Sequence, residues 1–493
     1  MNDKQQVGEA KPQRLHHRHI AWVLLSLAAV AHAFDPLFSE RGVPPSAAAS
    51  MVAAGPRGDV CVFGALSAPL ALPDAIERAL CNHPKTRQAW ADVKAAAAAV
   101  GVSRAAYLPG VTANWQGVRD ETTTNIDGFP QFNSKYRNSL LRTDSISLSW
   151  VLYDFGGRRA ALSNATALLV AARATEDATL QETFASVAKD YYAAQAAEGA
   201  LAAAQEIERH ASDSFKAATA KVDKGVAPIS DQLQAQTSWA DAVVNRTKAE
   251  GEYKNAVGTL AADMNLEPDT PLALPEVAEG VLPDAQFDES ISELIGEAKR
   301  SHPSIAAAQA QLEASEAKVA QTKAQGMPTL SLVAKYSRNN QPTTLQIGQP
   351  QFATTGREWY LGLQLTIPLF EGFGRTYQVE QARAQAEHER DVLEEARRQV
   401  GLDVWISYQA LQVAKVNVGN SAMLLDVAGR SYQAAQRRYD QGVGSILELL
   451  TTQSSLASAK RQRIQALTDW RSARLQLAAK LGRAGLWDVG KSP

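Results

Sequence analysis

The 493-residue sequence has little net charge, few aromatic residues and few histidines. Its formal net charge of −2 offers no basic surface for nucleic acid, so no nucleic-acid partner is expected. After the first 33 residues the histidines are His83, His210, His302 and His388, and none stands at a metal-ligand spacing. His388-Glu389 lacks the second histidine of a zinc-protease motif, and no phosphate-binding glycine loop or nucleophile elbow occurs. The sequence therefore predicts neither an enzyme nor a protein that needs a metal or cofactor.

Long apolar runs are also missing, except near the N-terminus. Basic residues precede an apolar run from Ile20 to Val30, and Ala31-His32-Ala33 follows, which is typical of a secretory signal peptide. A membrane anchor is the alternative, but the run is shorter than the roughly 20 residues that span a bilayer. Phe34 rather than cysteine follows the predicted cleavage site, so no lipid anchor is expected.

Cysteine is nearly absent, since Cys61 and Cys81 are the chain's two cysteines. In an exported protein such a pair is a candidate disulfide, which here would tie the N-terminal segment to the first helix. The alternative is two unpaired thiols.

An internal duplication organises the remaining chain. The matching segments are His83-Pro84 with His302-Pro303, Pro109 with Pro328, Leu152–Arg158 with Leu369–Arg375, and Gly225-Val226 with Gly442-Val443. Each half reads helix, strand, loop, strand, long helix, tight turn, helix. The two histidines before proline are expected to have structural roles. We divide the chain into a signal peptide (1–33), an N-terminal extension (34–72), a first repeat (73–265), a linker (266–288), a second repeat (289–482) and a tail (483–493).

Two segments in each repeat alternate apolar and polar residues, the period of a β-strand. They are residues 111–118, 145–152, 329–336 and 359–367. Each is close to the roughly 9–11 residues that cross a bilayer at a tilt, although an ordinary soluble sheet is the alternative. Strands in a bilayer leave no edge unpaired, so four strands require an oligomer, and three copies would form one twelve-stranded barrel. The aromatic residues expected at the lipid boundaries are Trp115, Trp150, Tyr336, Trp359 and Tyr360.

Long helices are predicted over about 157–223 and 375–440, because these segments contain few turn signals. About 66 helical residues reach roughly 100 Å. Shorter helices over about 73–106 and 229–263 can stack end to end beside the first long helix. Coiled-coil spacing is followed by Leu180, Phe184, Val187, Tyr191, Ala194 and Leu201, and in the twin helix by Val404, Tyr408, Leu411 and Val418.

Two tight turns close these helices at the end far from the strands. Gly225 can end the first long helix in the left-handed conformation, and Ser230 or Asp231 could cap the helix that follows. The turns also have a functional interpretation, because polar side chains that converge at the narrow end of a tube can form a gate. The candidate gate residues are Ser230, Asp231, Tyr439 and Glu448, and for Ser230 simple capping is the alternative.

The duplicated unit, the glycine-rich strand-to-helix junctions and the Gly-Val turns resemble the TolC-like outer-membrane efflux family over about residues 70–482. Residues 79–90 are similar to the CyaE-type branch, which serves secretion of toxins of the adenylate cyclase haemolysin kind. The resemblance implies an α+β membrane protein with a long α-helical barrel and a transmembrane β-barrel formed by a homotrimer, with four strands per protomer. It also implies a location in the cell outer membrane, with the helical barrel in the periplasm.

The expected partners are outer-membrane lipid, a periplasmic adaptor and an ATP-driven inner-membrane transporter. The expected adaptor-docking residues are Gly225, Val226, Gly442 and Val443. The sequence departs from the family at Gly444, where an arginine link is expected, and at Thr451, which replaces a second acidic residue. The resemblance thus predicts a gate held by fewer links.

The function expected from this resemblance is the channel-tunnel of a tripartite export system that passes a toxin-like protein by type I secretion. One alternative is an efflux duct for drugs or metals that works with a proton-driven pump. Another is a structural periplasmic coiled-coil trimer without transport.

Overall fold

A computed structural model of the protein describes residues 35–40, 43, 46, 61, 63–125, 127–130, 133–277, 290–340 and 354–484. The predicted signal peptide lies outside the described residues, as do most of the predicted tail and the second half of the predicted linker. Within these ranges the chain is mostly helical and contains a four-stranded antiparallel sheet.

The described elements occur in the same order in both halves. The first half contains α1 (Leu72–Asn82), α2 (Pro84–Ala105), β1 (Gly110–Thr124), β2 (Ser134–Tyr153), α3 (Gly157–Asp223) and α4 (Ile229–Asp263). The second half contains α5 (Ile291–Ser301), α6 (Pro303–Ala324), β3 (Thr329–Asn339), β4 (Gly356–Thr366), α7 (Gly374–Asp440) and α8 (Ile446–Lys480). Corresponding helices are equal in length, with 11, 22, 67 and 35 residues in each half.

The helix expected over 73–106 is two helices, because the chain bends at His83. Proline disfavours helical backbone at the residue before it, and His83 is extended, with φ −60° and ψ 133°. Its Nδ1 accepts a hydrogen bond from the Lys85 N–H at 3.1 Å and so caps α2. His302 caps α6 in the same way through the Ser304 N–H at 3.2 Å. The structural role predicted for both histidines is confirmed.

The sheet has the order β1-β2-β3-β4, and each neighbouring pair is antiparallel. Its register places Ile146 opposite Tyr336 and Tyr336 opposite Trp359, so these side chains share one face. That face is apolar and open along β4, where Trp359 is 77% and Leu363 is 66% exposed. The four strands were predicted, but β1 and β2 extend well beyond 111–118 and 145–152.

The long helix α3 is central to the helical part, since it packs against α1, α2, α4, α6 and α8. Leu180, Phe184 and Tyr191 are buried along its predicted seam, and Leu201 is half-buried. The second long helix, α7, packs against α5, α6 and α8. None of the helices in the described ranges is both long and apolar enough to cross a lipid bilayer.

Residues 61 and 63–70, here called the N-terminal strap, pack against the middle of α3. Cys61 and Cys81, the candidate pair, are joined by a disulfide with a Cα–Cα distance of 5.5 Å. At the other end of the strap the Leu70 N–H donates to the Ala273 carbonyl at 2.8 Å. The Leu70 carbonyl accepts a hydrogen bond from the buried Tyr191 hydroxyl, also at 2.8 Å. The strap is thus fixed at both ends over the core.

Candidate functional site

Two turns of the same geometry join the helices at the end opposite the sheet. Gly225 after α3 and Gly442 after α7 have φ values of +71° and +78°, which L-residues with side chains rarely adopt. The next residue in each turn, Val226 or Val443, donates its N–H to a carbonyl five residues earlier at 3.0 Å. Both valine side chains are exposed. Each turn therefore presents an apolar side chain at the tip of a helical hairpin. The first hairpin is α3–α4 and the second is α7–α8.

The helices that follow the two turns begin differently. Ser445 caps α8, because its Oγ accepts a hydrogen bond from the Glu448 N–H at 3.1 Å. At α4 the capping position is Pro228, which has no such bond. The prediction that Ser230 or Asp231 caps α4 is therefore wrong, since both lie inside its first turn. The Ser230 hydroxyl instead donates to Asp231 Oδ1 at 3.4 Å.

Tyr439 is the buried member of the predicted gate set, with 4% of its surface exposed. It packs in a cluster with Ile446 and Leu449 of α8 and Ala218 of α3. Its hydroxyl oxygen is buried and has no hydrogen-bond partner among the described residues. Burial raises the pKa of Tyr439, and the nearby Asp231 carboxylate adds to that rise. The tyrosine is therefore neutral, and it packs against residues of both hairpins.

Lys221, which the sequence did not predict as a site residue, connects the hairpins at Tyr439. Its Nζ lies 3.6 Å from the Tyr439 ring centroid and donates to the Tyr439 carbonyl at 2.5 Å. Its counterpart in the second repeat is Arg438, whose Nε lies 3.4 Å from Glu448 Oε1. A basic residue in the last turn of a helix ordinarily complements the helix dipole, so neither residue stood out. Their matched positions in the duplication were the available signal.

Gly444 is glycine because its turn is crowded. A Cβ atom there would lie 2.9 Å from both Arg438 Cβ and Tyr439 N, closer than real side chains come. The Gly444 N–H also donates to the Arg438 carbonyl at 3.0 Å. An arginine at position 444 would therefore require a different path of the turn. Thr451, at the second departure, donates its hydroxyl to the Leu447 carbonyl at 2.8 Å within α8.

A second set of contacts joins the hairpins higher on the helices. The Lys460 ammonium group pairs with the Glu206 carboxylate, which His210 also approaches at 3.4 Å. The hydrogen bond from Lys460 lowers the pKa of Glu206 in spite of partial burial. The Gln453 amide donates to the Ile207 carbonyl at 3.3 Å. These contacts lie about 22 Å above Lys221, at 1.5 Å per helical residue.

The chemistry available at the tips is that of reversible contacts. A hydrogen bond and a cation–π contact connect the two helical hairpins at their tips, and the Arg438–Glu448 ion pair lies within the second hairpin. Within the part of the chain that the structure describes, no group of three or more His, Cys, Asp or Glu residues could hold a metal ion. Such contacts can hold hairpins together and release them again.

Known proteins share this architecture. The sequence profile of the outer membrane efflux protein family matches residues 75–265 and 294–483. The chain belongs to this family. The protein CyaE of Bordetella pertussis is 34% identical to this efflux protein over 427 residues, which cover 86% of each sequence. The pyoverdine export outer membrane protein OpmQ of Pseudomonas putida is 26% identical over 486 residues, covering 96% of this chain and 98% of OpmQ.

A solved structure shows the same fold. The outer membrane protein VceC of Vibrio cholerae superposes with a TM-score of 0.70 at 18% identity, covering 84% of this chain and 96% of VceC. The predicted family is confirmed by the match to the family profile and by the identity with CyaE. This outer membrane efflux protein has its place in the cell outer membrane, and its helices extend into the periplasm. Family and fold are those of channel proteins.

Proposed function

We propose that this protein is the outer-membrane channel-tunnel of a tripartite export system that passes a toxin-like protein by type I secretion. The observation that carries the proposal is the 34% identity with CyaE over 86% of both chains. That identity exceeds the 26% found for the pyoverdine exporter. An ATP-driven inner-membrane transporter supplies the energy, and a periplasmic adaptor connects it to the channel. Residues 1–33 direct the chain out of the cytoplasm and are then removed.

The working form is a homotrimer. Within one chain, β1 and β4 each pair on one side, so each leaves an edge for a neighbouring copy. Three sheets joined edge to edge make a twelve-stranded barrel. The exposed apolar face of β4 runs from Trp359 to Leu365, which spans roughly 20 Å along the strand. This height suits contact with the outer-membrane lipid, since the apolar band of such proteins is about 25 Å tall.

The hairpin tips form the gate, with Ser230, Asp231, Tyr439 and Glu448 around the narrow end. The adaptor docks on the two turns, where Gly225-Val226 and Gly442-Val443 expose their valine side chains. Docking favours the separated arrangement of the hairpins and so shifts an existing equilibrium. Acidic side chains repeated three times around the axis attract cations and disfavour anions. Cargo then crosses a water-filled tube, and no bond is made or broken by the protein.

A second function is favoured by one observation. The pyoverdine exporter aligns with 96% of this chain, so a duct for small molecules has the same overall length and order. The third possibility, a structural coiled-coil trimer without transport, is disfavoured because the chain belongs to an efflux family. Recording of the purified protein in a planar bilayer distinguishes this structural trimer from the two ducts, because only a duct conducts ions.

Deletion of the gene tests the cargo class. We expect the culture supernatant of the deletion strain to lose one or a few large secreted proteins, and complementation to restore them. An unchanged supernatant together with new sensitivity to small toxic compounds would contradict protein secretion and favour the small-molecule duct.

A further inference from the structure

The long helices α3 and α7 both end at the tip, so their negative dipole ends lie close together. The last carbonyl groups of a helix have no partner within it. The Tyr439 carbonyl, in the last turn of α7, accepts the Gly442 N–H at 3.1 Å and the Lys221 ammonium at 2.5 Å. The ammonium group of Lys221, at the end of α3, therefore stabilises the negative end of α7.

The ring of Tyr439 is the second contact of the same ammonium group. Its centroid lies 3.6 Å from Lys221 Nζ, and the tyrosine is 4% exposed. Cation–π contacts that are shielded from water are stronger than exposed ones. Both contacts join α3 to α7, so a displacement of the second hairpin from the first breaks them together.

The duplication provides an internal comparison for this lysine. Its counterpart Arg438 pairs with Glu448, which belongs to the same hairpin. Lys221 instead crosses from the first hairpin to the second. The counterpart of Tyr439 in the first repeat is Val222, which has no ring, so the cation–π contact cannot form in the opposite direction. The link is thus specific to one side of the duplicated unit.

The tyrosine hydroxyl takes no part in the link. Its oxygen is buried without a hydrogen-bond partner among the residues that the structure describes. The contacts that cross the hairpins use the ring face and the backbone carbonyl of Tyr439. Removal of the hydroxyl alone therefore leaves both contacts in place.

We propose that Lys221 is the residue that locks the gate, by holding the second hairpin to the first through the ring and carbonyl of Tyr439. In this role Lys221 replaces the arginine link expected at position 444, where the crowded turn leaves no room for a side chain. The lock is a deeper account of the proposed channel function and rests on it. A trimer carries three such locks, one within each protomer.

Planar-bilayer recording of the purified full-length protein tests the lock through Lys221→Met. We expect the occupancy of the open conductance level to rise at least about tenfold, the factor for one charge-assisted hydrogen bond, because the substitution removes that bond from each of the three protomers. The matched control is Lys216→Met, five residues earlier on α3. Its ammonium is exposed and pairs with Asp213 on the same helix, so its removal should leave the recording unchanged.

Two tyrosine variants separate the ring from the hydroxyl. Tyr439→Phe, which keeps the ring and the carbonyl, should behave as the parent protein, and Tyr439→Leu, which keeps the carbonyl alone, should open the channel less than Lys221→Met does. A phenylalanine variant that opens as far as Lys221→Met would assign the lock to the hydroxyl and overturn the proposal. Trimer assembly is checked by size exclusion and helix content by circular dichroism. Lys221→Gln, which also removes the charge, serves if the methionine variant does not assemble.

The recordings also distinguish the lock from the channel function beneath it. A parent protein that conducts ions, together with Lys221→Met and Lys221→Gln variants that match it, would refute the lock alone. If neither the parent nor any variant conducts ions, the channel function itself is contradicted.

Discussion

The disulfide between Cys61 and Cys81 ties the N-terminal strap to α1, and its removal should loosen the strap. Leu70 at the far end of the strap is 1% exposed and belongs to the core cluster that contains Phe184. Its N–H donates to the Ala273 carbonyl at 2.8 Å. Because most of this cluster comes from the helices, they should remain folded when the strap detaches.

The size of the effect follows from the loop that the disulfide closes. The two cysteines are separated by 20 residues. Loop-closure entropy for such a loop gives about 3 kcal/mol in favour of the docked strap. At room temperature this free energy corresponds to roughly two orders of magnitude in the docking equilibrium.

Hydrogen exchange at the Leu70 amide measures this equilibrium directly. In the double variant Cys61→Ala and Cys81→Ala we expect protection of that amide to fall about a hundredfold. The Val443 amide, bonded at 3.0 Å in the distant turn, is the internal control and should not change. Protection of Leu70 within about threefold of the parent would refute the entropic argument and assign the strap's docking to apolar contacts alone.

Three further predictions concern stability and insertion. Burial and the nearby Asp190 side chain of α3 raise the pKa of Asp263 to about 7, so the folded state binds the Asp263 proton more tightly than the unfolded chain does. Stability should fall as the pH rises from 3.8 to about 7, and Asp263→Asn should raise the unfolding temperature more at pH 8 than at pH 5. Equal shifts at both pH values would contradict this. Gly444→Ala should lower the unfolding temperature, because the added Cβ would lie 2.9 Å from its nearest neighbours. Gly419→Ala, which has open space around it in α7, should instead stabilise the protein by about 0.5–1 kcal/mol. Shifts of the same sign for the two variants would contradict this difference. Leu363→Arg on the apolar face should reduce the protein recovered from outer-membrane fractions, at a cost of about 2–4 kcal/mol, while Gln364→Arg on the opposite face should not. Equal recovery of the two variants would argue against a lipid-facing surface.

Helix ends were predictable where glycine or proline marks them in the sequence. The long helices end within one residue of the predicted 157–223 and 375–440, because glycines stand at their starts and in the turns after them. The bend at His83 was not predicted, because the alanine-rich pattern suggested one continuous helix. Pro84 was the available signal, since proline disfavours helical backbone at the residue before it. The strands were identified from their alternation, but β1 and β2 continue into segments where the sequence loses that period.

The candidate site was only partly accessible from the sequence. Its place beside the tight turn at the narrow end pointed to Tyr439, and the structure shows that it is buried between the hairpins. The role of Lys221 depends on the lateral packing of two helices that are more than 200 residues apart in sequence, which no local pattern encodes. The cap predicted for Ser230 failed because Pro228 already occupies the first position before α4.

The equal lengths of the repeated helices restrict how such a tube can change its height. Each hairpin descends through 67 residues and returns through 35, so both turns reach the same depth. One residue added to α3 alone would lower its turn by about 1.5 Å, which is enough to part Lys221 from Tyr439. A longer or shorter periplasmic reach therefore requires matched insertions or deletions in both halves of the chain.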